Sequence, residues 1–141
     1  MKEPVNEPLI YVACPYSDNQ KDVMAKRFES VSAFCAELLR YRVMVFSPIS
    51  HSHPIAQYGL PKGWDFWQRW GRIYLEFCDA IIVLRLPGWD VSIGVTAEIA
   101  AMKAQGKPIV YAEYAIDAAI LAAHAVHSHF PYRASASPGD P

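Results

Sequence analysis

The sequence has no long hydrophobic run and no basic tract, and its first residues do not predict a secretory signal. Although 52% of its 141 residues are hydrophobic, no run approaches the roughly 20 apolar residues that a helix needs to cross a bilayer. The first residues, MKEPVNEPLI, lack the basic start and apolar stretch of an export signal. The net charge is −1 and acids are interspersed with bases, which disfavours nucleic-acid polymers as partners. The sequence therefore predicts neither a membrane protein nor a nucleic-acid-binding protein.

Cysteine is also scarce, and the common nucleotide fingerprints are missing. The three cysteines are an odd number without close pairing, which predicts reduced thiols and a cytoplasmic location. Neither G-x-G-x-x-G nor G-x-x-x-x-G-K-[ST] occurs, so we expect no dinucleotide, nucleoside triphosphate or other cofactor. Cys14 does not fit a phosphatase loop, because the arginine that such a loop needs six residues later is Gln20 here. Cys14 is therefore expected to pack as a small apolar residue.

What the chain does have is an alternation of short apolar runs and amphipathic segments. Apolar runs on both faces, separated by helical segments, predict a parallel sheet covered by helices on both sides. We expect a single three-layer α/β/α domain of the doubly wound, Rossmann-like or flavodoxin-like class, spanning residues 9–129, with an N-terminal extension (1–8) and a flexible tail (130–141). The predicted strands are 9–14, 43–46, 80–84 and 109–111; the predicted helices end near Arg40, cover Phe66 to Phe77, run from Ser92 to Gly106, and cover 115–127.

Three segments that follow strands contain most of the polar and turn-forming residues. They are CPYSDN (14–19), SPISHSHP (47–54) and RLPGWDVSIG (85–94). In doubly wound folds, ligands bind at the carboxyl ends of the strands, near the point where the strand order reverses. The stretch 47–63 is too long for a plain connector, and we interpret it as a functional loop. The sequence thus predicts a ligand site at this edge of the sheet.

Glu98 is the most unusual residue at that edge. It falls beside the apolar stripe of the third helix, which consists of Val91, Val95, Ile99 and Met102. A glutamate there either reaches solvent or an arginine at the rim of the stripe, or it points into a ligand pocket. The second interpretation fits its position, because the helix starts at the ligand edge. Ser92 suits the N-cap, Gly94 permits close approach of a ligand, and the positive helix start favours an ionised carboxylate.

Five features occur in an order that resembles a known superfamily. They are ACPYS (13–17), SHPI (52–55), LPGW (86–89), Glu98 and GKP (106–108). Together they resemble the nucleoside 2-deoxyribosyltransferases over residues 9 to 112. SHPI and LPGW are similar in particular to a branch of small proteins of unknown function within that superfamily.

The resemblance implies retaining N-glycoside chemistry on a nucleoside or a nucleotide. Glu98 matches the family's nucleophile, and Asp90 and Asp65 are candidates for contacting sugar hydroxyls or the leaving base. Aromatic stacking is expected from Tyr16, Trp89 and Trp67. The candidate substrate-binding residues are Pro15, Tyr16, Ser17, His53, Trp89, Ser92 and Gly94.

Two departures from the family pattern leave other functions open. An aspartate that relatives often have in the second helix corresponds to Gly71, and the spacing between the aspartate and Glu98 is one residue longer. A non-catalytic module that binds a nucleotide or sugar phosphate in the same cleft is therefore the alternative. A metal hydrolase that uses His51, His53 and Asp90 is a third possibility, since H-x-H occurs in metal sites. For His53 itself, two roles stay open: a polar contact with a ligand, or a structural role in holding its loop.

The second helix is unusually aromatic and predicts self-association. Its large apolar residues cover more than one side of the helix, and so small a domain does not readily bury them all. We therefore expect a homo-oligomer. The residues concerned are Phe66, Trp67, Trp70, Ile73, Tyr74 and Phe77.

Overall fold

The computed structural model describes residues 7–129, which form one α/β domain. Four parallel strands lie between two layers of helices, as the sequence predicts. The predicted extension 1–8 and the predicted tail 130–141 fall almost entirely outside the described residues. In chain order the elements are β1 (Ile10–Ala13), α1 (Lys21–Arg40), β2 (Val45–Phe46), α2 (Pro48–Ala56), α3 (Trp64–Phe77), β3 (Ala80–Leu84), a 3₁₀ helix (Trp89–Val91), α4 (Ile93–Ala104), β4 (Ile109–Ala112) and α5 (Ala115–His129).

The strand order places a reversal point between β1 and β3. The order across the sheet is β2-β1-β3-β4, and every neighbouring pair is parallel. From β1 the chain goes outward to β2, then crosses back to β3 on the other side of β1. A crevice opens where successive connections leave a parallel sheet in opposite directions. The segments that follow β1 and β3 are therefore the ones that border it.

Each face of the sheet has its own core. On one face the strands pack against α1 and α5, whose buried residues include Val31, Leu38 and Ala118. On the other face they pack against α3 and α4 through Leu75 and Met102, among others. Both faces of the central strands are buried, which explains why their sequences are apolar throughout.

The ends of α4 are fixed as the sequence predicts. Ser92 is the N-cap, and its hydroxyl accepts a hydrogen bond from the Val95 N–H at 3.2 Å. Gly106 follows the last turn with a φ of 65°, a conformation that glycine adopts without strain. This cap orients the first turns of α4, and with them Glu98, toward the carboxyl edge of the sheet.

The segment 47–63 is not the loop that we expected, because its first half is α2. Ser47 caps this helix by accepting a hydrogen bond from the Ser50 N–H at 3.1 Å, and Pro48 occupies the first helical position. Proline is favoured there because its fixed φ suits a helix start and no N–H is needed. The proline and serine content that indicated a loop is in fact the signal of a helix N-terminus.

No helix within residues 7–129 is both long enough and apolar enough to span a membrane.

Candidate active site

A cleft of about 520 Å³ opens at the carboxyl edge of the sheet, where the strand order reverses. Its walls come from the segment after β1, from α2, from the start of α3 and from the segment that joins β3 to α4. This volume lies in the range of small-molecule sites. The site is therefore where the doubly wound topology places it.

Glu98 lies at the buried end of this cleft. Only 5% of its surface is exposed. Among residues 7–129, the buried polar side chains are those of two serines and Glu98, so Glu98 is the one buried residue with an ionisable carboxyl group. Burial raises the pKa of its carboxyl group to about 8, although a hydrogen bond from the Tyr11 hydroxyl acts in the opposite direction. The expectation that Glu98 stays ionised is therefore wrong near neutral pH, because loss of hydration outweighs the hydrogen bond from Tyr11.

Tyr11 holds Glu98 from the sheet side. Its side chain is 1% exposed and its hydroxyl donates a hydrogen bond to the Glu98 carboxyl group. Burial, reinforced by Glu98, raises the pKa of the Tyr11 phenol well above its ordinary value, so that the phenol stays a donor. Gly71 on α3 lies beside this pair, and a Cβ there would make an ordinary contact with the Tyr11 hydroxyl at 3.5 Å.

Cys14 also faces this buried end. Burial, and secondarily the Glu98 charge, raises the pKa of the Cys14 thiol strongly, which keeps it protonated. A neutral, buried thiol is a poor nucleophile. As predicted, Cys14 packs as a small apolar residue, and it forms part of the core on the α1 side.

Arg27 on α1 joins the two loops that border the cleft. Its guanidinium donates to the carbonyl oxygens of Tyr16 and Ser17, both at 3.2 Å, and to that of Pro87 at 3.4 Å. It thus links the segment after β1 to the segment after β3. A rigid planar donor suits this bridging role.

Tyr16, which also lines the cleft, forms a second polar pair. Its hydroxyl is hydrogen-bonded to Nδ1 of His53, and the His53 ring stacks on Phe28 with centroids 4.4 Å apart. Burial, together with the positive charge of Lys62, lowers the pKa of His53. His53 is therefore a neutral ring that holds Tyr16. It lies in α2, so the loop that it was expected to hold is a helix.

An aromatic wall completes the cleft on the α3 side. Trp64, Trp67 and Trp70 all line it. The Trp67 indole donates to the Pro61 carbonyl oxygen at 2.7 Å and packs edge-on against Trp70 with centroids 5.6 Å apart. Such rings offer flat apolar surfaces on which a planar base or a sugar face packs well.

Most of the predicted site residues meet in this cleft, but three do not line it. Asp90 is exposed on the 3₁₀ helix, and Trp89 turns toward the core, where its ring packs against Tyr111 at 5.7 Å. His53 reaches the cleft only through Tyr16. The predicted residues that do line the cleft are Glu98, Asp65, Pro15, Tyr16, Ser17, Ser92 and Gly94.

Four polar residues of the cleft were missed by the sequence reasoning. Tyr11 sits inside an apolar strand, where it looks like a core residue, and Arg27 sits on the polar side of an amphipathic helix. Ser52 and Lys62 lie in the stretch that was taken for a loop. A signal existed for Tyr11 alone, since a buried tyrosine hydroxyl usually has a partner.

The histidines of the H-x-H pair do not converge. His51 packs against Trp70 with ring centroids 5.2 Å apart, whereas His53 is held by Tyr16 and Phe28. Across residues 7–129, no three His, Cys, Asp or Glu side chains are placed to hold a metal ion. The described part of the chain thus gives no support to the metal hydrolase.

Comparison with known proteins identifies the family of this chain. Residues 8–114 match a family model described as a domain of unknown function, DUF1937. A search of curated proteins finds no match. The matched residues run from just before β1 to just after β4 and include every residue that lines the cleft. The chain therefore belongs to the DUF1937 family.

Proposed function

We propose that this protein is an enzyme that cleaves the N-glycosidic bond of a nucleoside or nucleotide, with Glu98 as the nucleophile. The observation that carries the proposal is Glu98 itself, a buried carboxyl group that lines a cleft and is oriented by a tyrosine. Burying an acid is unfavourable, and such groups concentrate at functional sites. The resemblance of the ordered motifs to the deoxyribosyltransferases supplies the reaction class.

In the proposed reaction, a Glu98 carboxylate oxygen attacks the anomeric carbon of the sugar. The bond between that carbon and the base nitrogen breaks, and its electron pair goes to the nitrogen, which takes a proton from solvent. Water or a second base then attacks the same carbon and releases the Glu98 carboxylate. Asp65 is the other carboxyl group that lines the cleft. In this proposal it contacts sugar hydroxyls or the base, and the tryptophan wall packs against the base.

The raised pKa of Glu98 sets the expected pH dependence of this reaction. Attack requires the carboxylate, whose fraction increases as pH rises through about 8. We therefore expect kcat/KM to rise with pH up to about 8 and then level off. A rate that falls over this range would show that the protonated form acts, and Glu98 would then not be the nucleophile.

The direct test is a panel of nucleosides, 2′-deoxynucleosides and their 5′-monophosphates, with free base measured by chromatography. We expect the wild type to release base from at least one of them. Glu98→Gln should reduce the release by at least about 10³-fold, because an amide does not replace a carboxylate nucleophile. Glu37→Gln on the exposed side of α1 is the matched control and should leave the rate unchanged.

The second candidate is a non-catalytic module that binds a nucleotide or sugar phosphate in the same cleft. The observation that favours it is that Glu98 is protonated near neutral pH, in a form that donates a hydrogen bond rather than attacks carbon. Ligands that raise the melting temperature while no base is released at any pH would support this module over the enzyme.

We also propose that the chain self-associates through α3 in a reducing, cytoplasmic setting. Ile73 and Phe77 are 56% and 76% exposed and Phe66 is 48% exposed, all on the outer side of the helix. Exposed apolar side chains in such a row are typical of interfaces. Size-exclusion chromatography with light scattering tests this: an oligomer that Phe77→Lys dissociates supports it, and a wild-type monomer at micromolar concentration contradicts it.

A further inference from the structure

Two basic side chains line the cleft, and only one of them forms hydrogen bonds with the protein itself. Arg27 donates to three backbone carbonyl oxygens. Lys62 lines the cleft, but its ammonium group forms neither a hydrogen bond nor an ion pair within residues 7–129. Its backbone is nevertheless fixed, because the Ser17 hydroxyl donates to the Lys62 carbonyl oxygen at 3.0 Å. Lys62 therefore presents an uncompensated positive charge to a ligand.

Ser52 on α2 adds an unused hydroxyl to this cleft. Its side chain is 5% exposed and lines the cleft, yet it makes no side-chain hydrogen bond to any residue that the structure describes. Nearby Ser50, by contrast, pairs with Ser32 at 2.7 Å. Every fully buried side-chain oxygen among the described residues has a partner, so an unbonded Ser52 hydroxyl is one that keeps some access to solvent. Because Ser52 lines the cleft, a ligand bound there can reach this hydroxyl.

Lys62 and Ser52 line the same cleft. The positive charge of Lys62 contributes to lowering the pKa of His53, the residue after Ser52, and the Lys62 carbonyl oxygen accepts the hydrogen bond from Ser17. Glu98 lines this cleft as well. The cleft thus combines a buried acid with a base whose ammonium group has no partner among the described residues.

The overall charge of the cleft favours an anion. Its acids are Asp65, which is exposed, and Glu98, which burial keeps largely protonated near neutral pH. Its bases are Arg27 and Lys62. The first turn of α4 also borders the cleft, and a helix start is positively polarised. An anionic group would be attracted to the site and would meet a fixed ammonium and a hydroxyl donor.

We infer that the part of the cleft lined by Lys62 and Ser52 binds a phosphate monoester. The natural ligand is then a phosphorylated sugar or a nucleoside 5′-monophosphate and not a free nucleoside. The nucleoside part of this inference rests on the proposed function, whereas the phosphate part does not. Lysine is a common phosphate ligand because its ammonium is a compact charge with several donors.

The test is isothermal titration calorimetry on the whole chain with four ligands: inorganic phosphate, ribose 5-phosphate, a 2′-deoxynucleoside and its 5′-monophosphate. We expect the monophosphate to bind at least about 10-fold more tightly than the nucleoside, with an advantage that shrinks as salt is added. Tight binding of ribose 5-phosphate would identify a sugar phosphate as sufficient. Equal affinity for nucleoside and monophosphate, or binding of none of the four, would overturn the inference.

Variants assign the effect to the two side chains. Lys62→Met should reduce the affinity for the monophosphate by about 10-fold or more and leave that for the nucleoside unchanged, and Ser52→Ala should reduce the former by about 3-fold or more. Lys103→Met, on the exposed side of α4, is the matched control. If Lys62→Met does not fold, the ratio of the affinities for monophosphate and nucleoside in the wild type and in the conservative variant Ser52→Ala still tests the inference. An unchanged ratio in the folded variants would refute the assignment.

Calorimetry and the base-release assay together separate this inference from the proposed function. Phosphate-dependent binding without release of base would support the anion site and contradict the enzyme. Release of base from nucleosides and monophosphates at equal rates, unaffected by Lys62→Met, would support the enzyme and contradict the anion site.

Discussion

The two faces of the sheet differ in the polar groups that pack against them. On the α1 and α5 face, the strands pack against an apolar cluster that includes Val31, Leu38 and Ala118. On the α3 and α4 face, the core includes the Tyr11 ring, whose hydroxyl is bonded to the buried Glu98. A single strand shows the contrast, since Ile10 and Val12 point to the first face while Tyr11 and Ala13 point to the second.

This difference separates the part of the molecule that stabilises the fold from the part that supports a reaction. Apolar burial lowers the free energy of the folded state at every pH. A buried carboxyl group does so only while it is protonated, because burying its charge is unfavourable. The face that contains Glu98 is therefore the one where burial lowers the free energy of unfolding once the carboxyl group ionises. Functional sites commonly reduce stability in this way.

The largest expected effect is on the apolar face. Leu38 is fully buried between α1 and the sheet, and Leu38→Ala should lower the free energy of unfolding by about 2–5 kcal/mol, because it removes buried carbon and leaves a cavity. The loss should be the same at pH 5 and pH 8. Urea denaturation measures it, and Leu39→Ala, at the 48%-exposed neighbouring position, is the control. A loss at Leu38 that varies with pH would break the comparison.

The next effect belongs to the other face, where the free energy of unfolding depends on pH through Glu98. The Glu98 carboxyl group has an ordinary pKa of 4.5, and burial raises this pKa to about 8 in the folded chain. Between these values the unfolded chain releases its proton and the folded chain keeps it. The free energy of unfolding therefore falls as pH rises from about 4.5 to about 8, and then levels off. At about 1.4 kcal/mol per pKa unit, the full decrease is on the order of 3–5 kcal/mol.

Glu98→Gln should remove this dependence, because an amide does not ionise. We expect the variant to equal the wild type at pH 5 and to exceed it by about 2 kcal/mol or more at pH 8. Thermal unfolding across this pH range measures the difference. Glu37→Gln, on the exposed side of α1, should not change the wild-type curve. If Glu98→Gln is less stable than the wild type at pH 8, Glu98 is ionised and well paired in the folded chain.

The fold was predictable because the strands are buried on both sides. Runs such as AIIVL (80–84) are apolar throughout, and the structure places β3 at the residues predicted. The caps of α4 were equally predictable, since Ser92 and Gly106 act through local backbone geometry. Local and periodic signals of this kind require no knowledge of the neighbouring elements.

The cleft was predictable only in part, because tertiary packing decides which side chains reach it. Glu98 broke an apolar pattern and could be singled out. Tyr11 broke no pattern, and its role emerges only once α4 is packed against the sheet and Glu98 reaches the Tyr11 hydroxyl. Trp89 and Asp90 follow β3, as site residues do, but the 3₁₀ helix turns Trp89 toward Tyr111 and leaves Asp90 exposed.

Helix α3 shows what an apolar pattern leaves open. Its large apolar residues were expected to be more than the domain can bury, and Ile73 and Phe77 are exposed, whereas the helix is buried at Gly71 and Leu75. Glycine contributes nothing to an apolar pattern, so the pattern did not show that Gly71 faces the sheet beside Tyr11.

Gly71 offers the smallest and most discriminating effect. A Cβ there would meet the Tyr11 hydroxyl at 3.5 Å, an ordinary contact, and Gly71 lies within α3 with a negative φ. Gly71→Ala should therefore raise the free energy of unfolding by about 0.5–1 kcal/mol, because alanine favours the helix more than glycine does. Gly106→Ala, at a φ of 65°, should have the opposite sign. A stability loss at Gly71 would mean that Tyr11 tolerates no displacement, and that this face is packed as tightly around its hydrogen bond as the other face is around carbon.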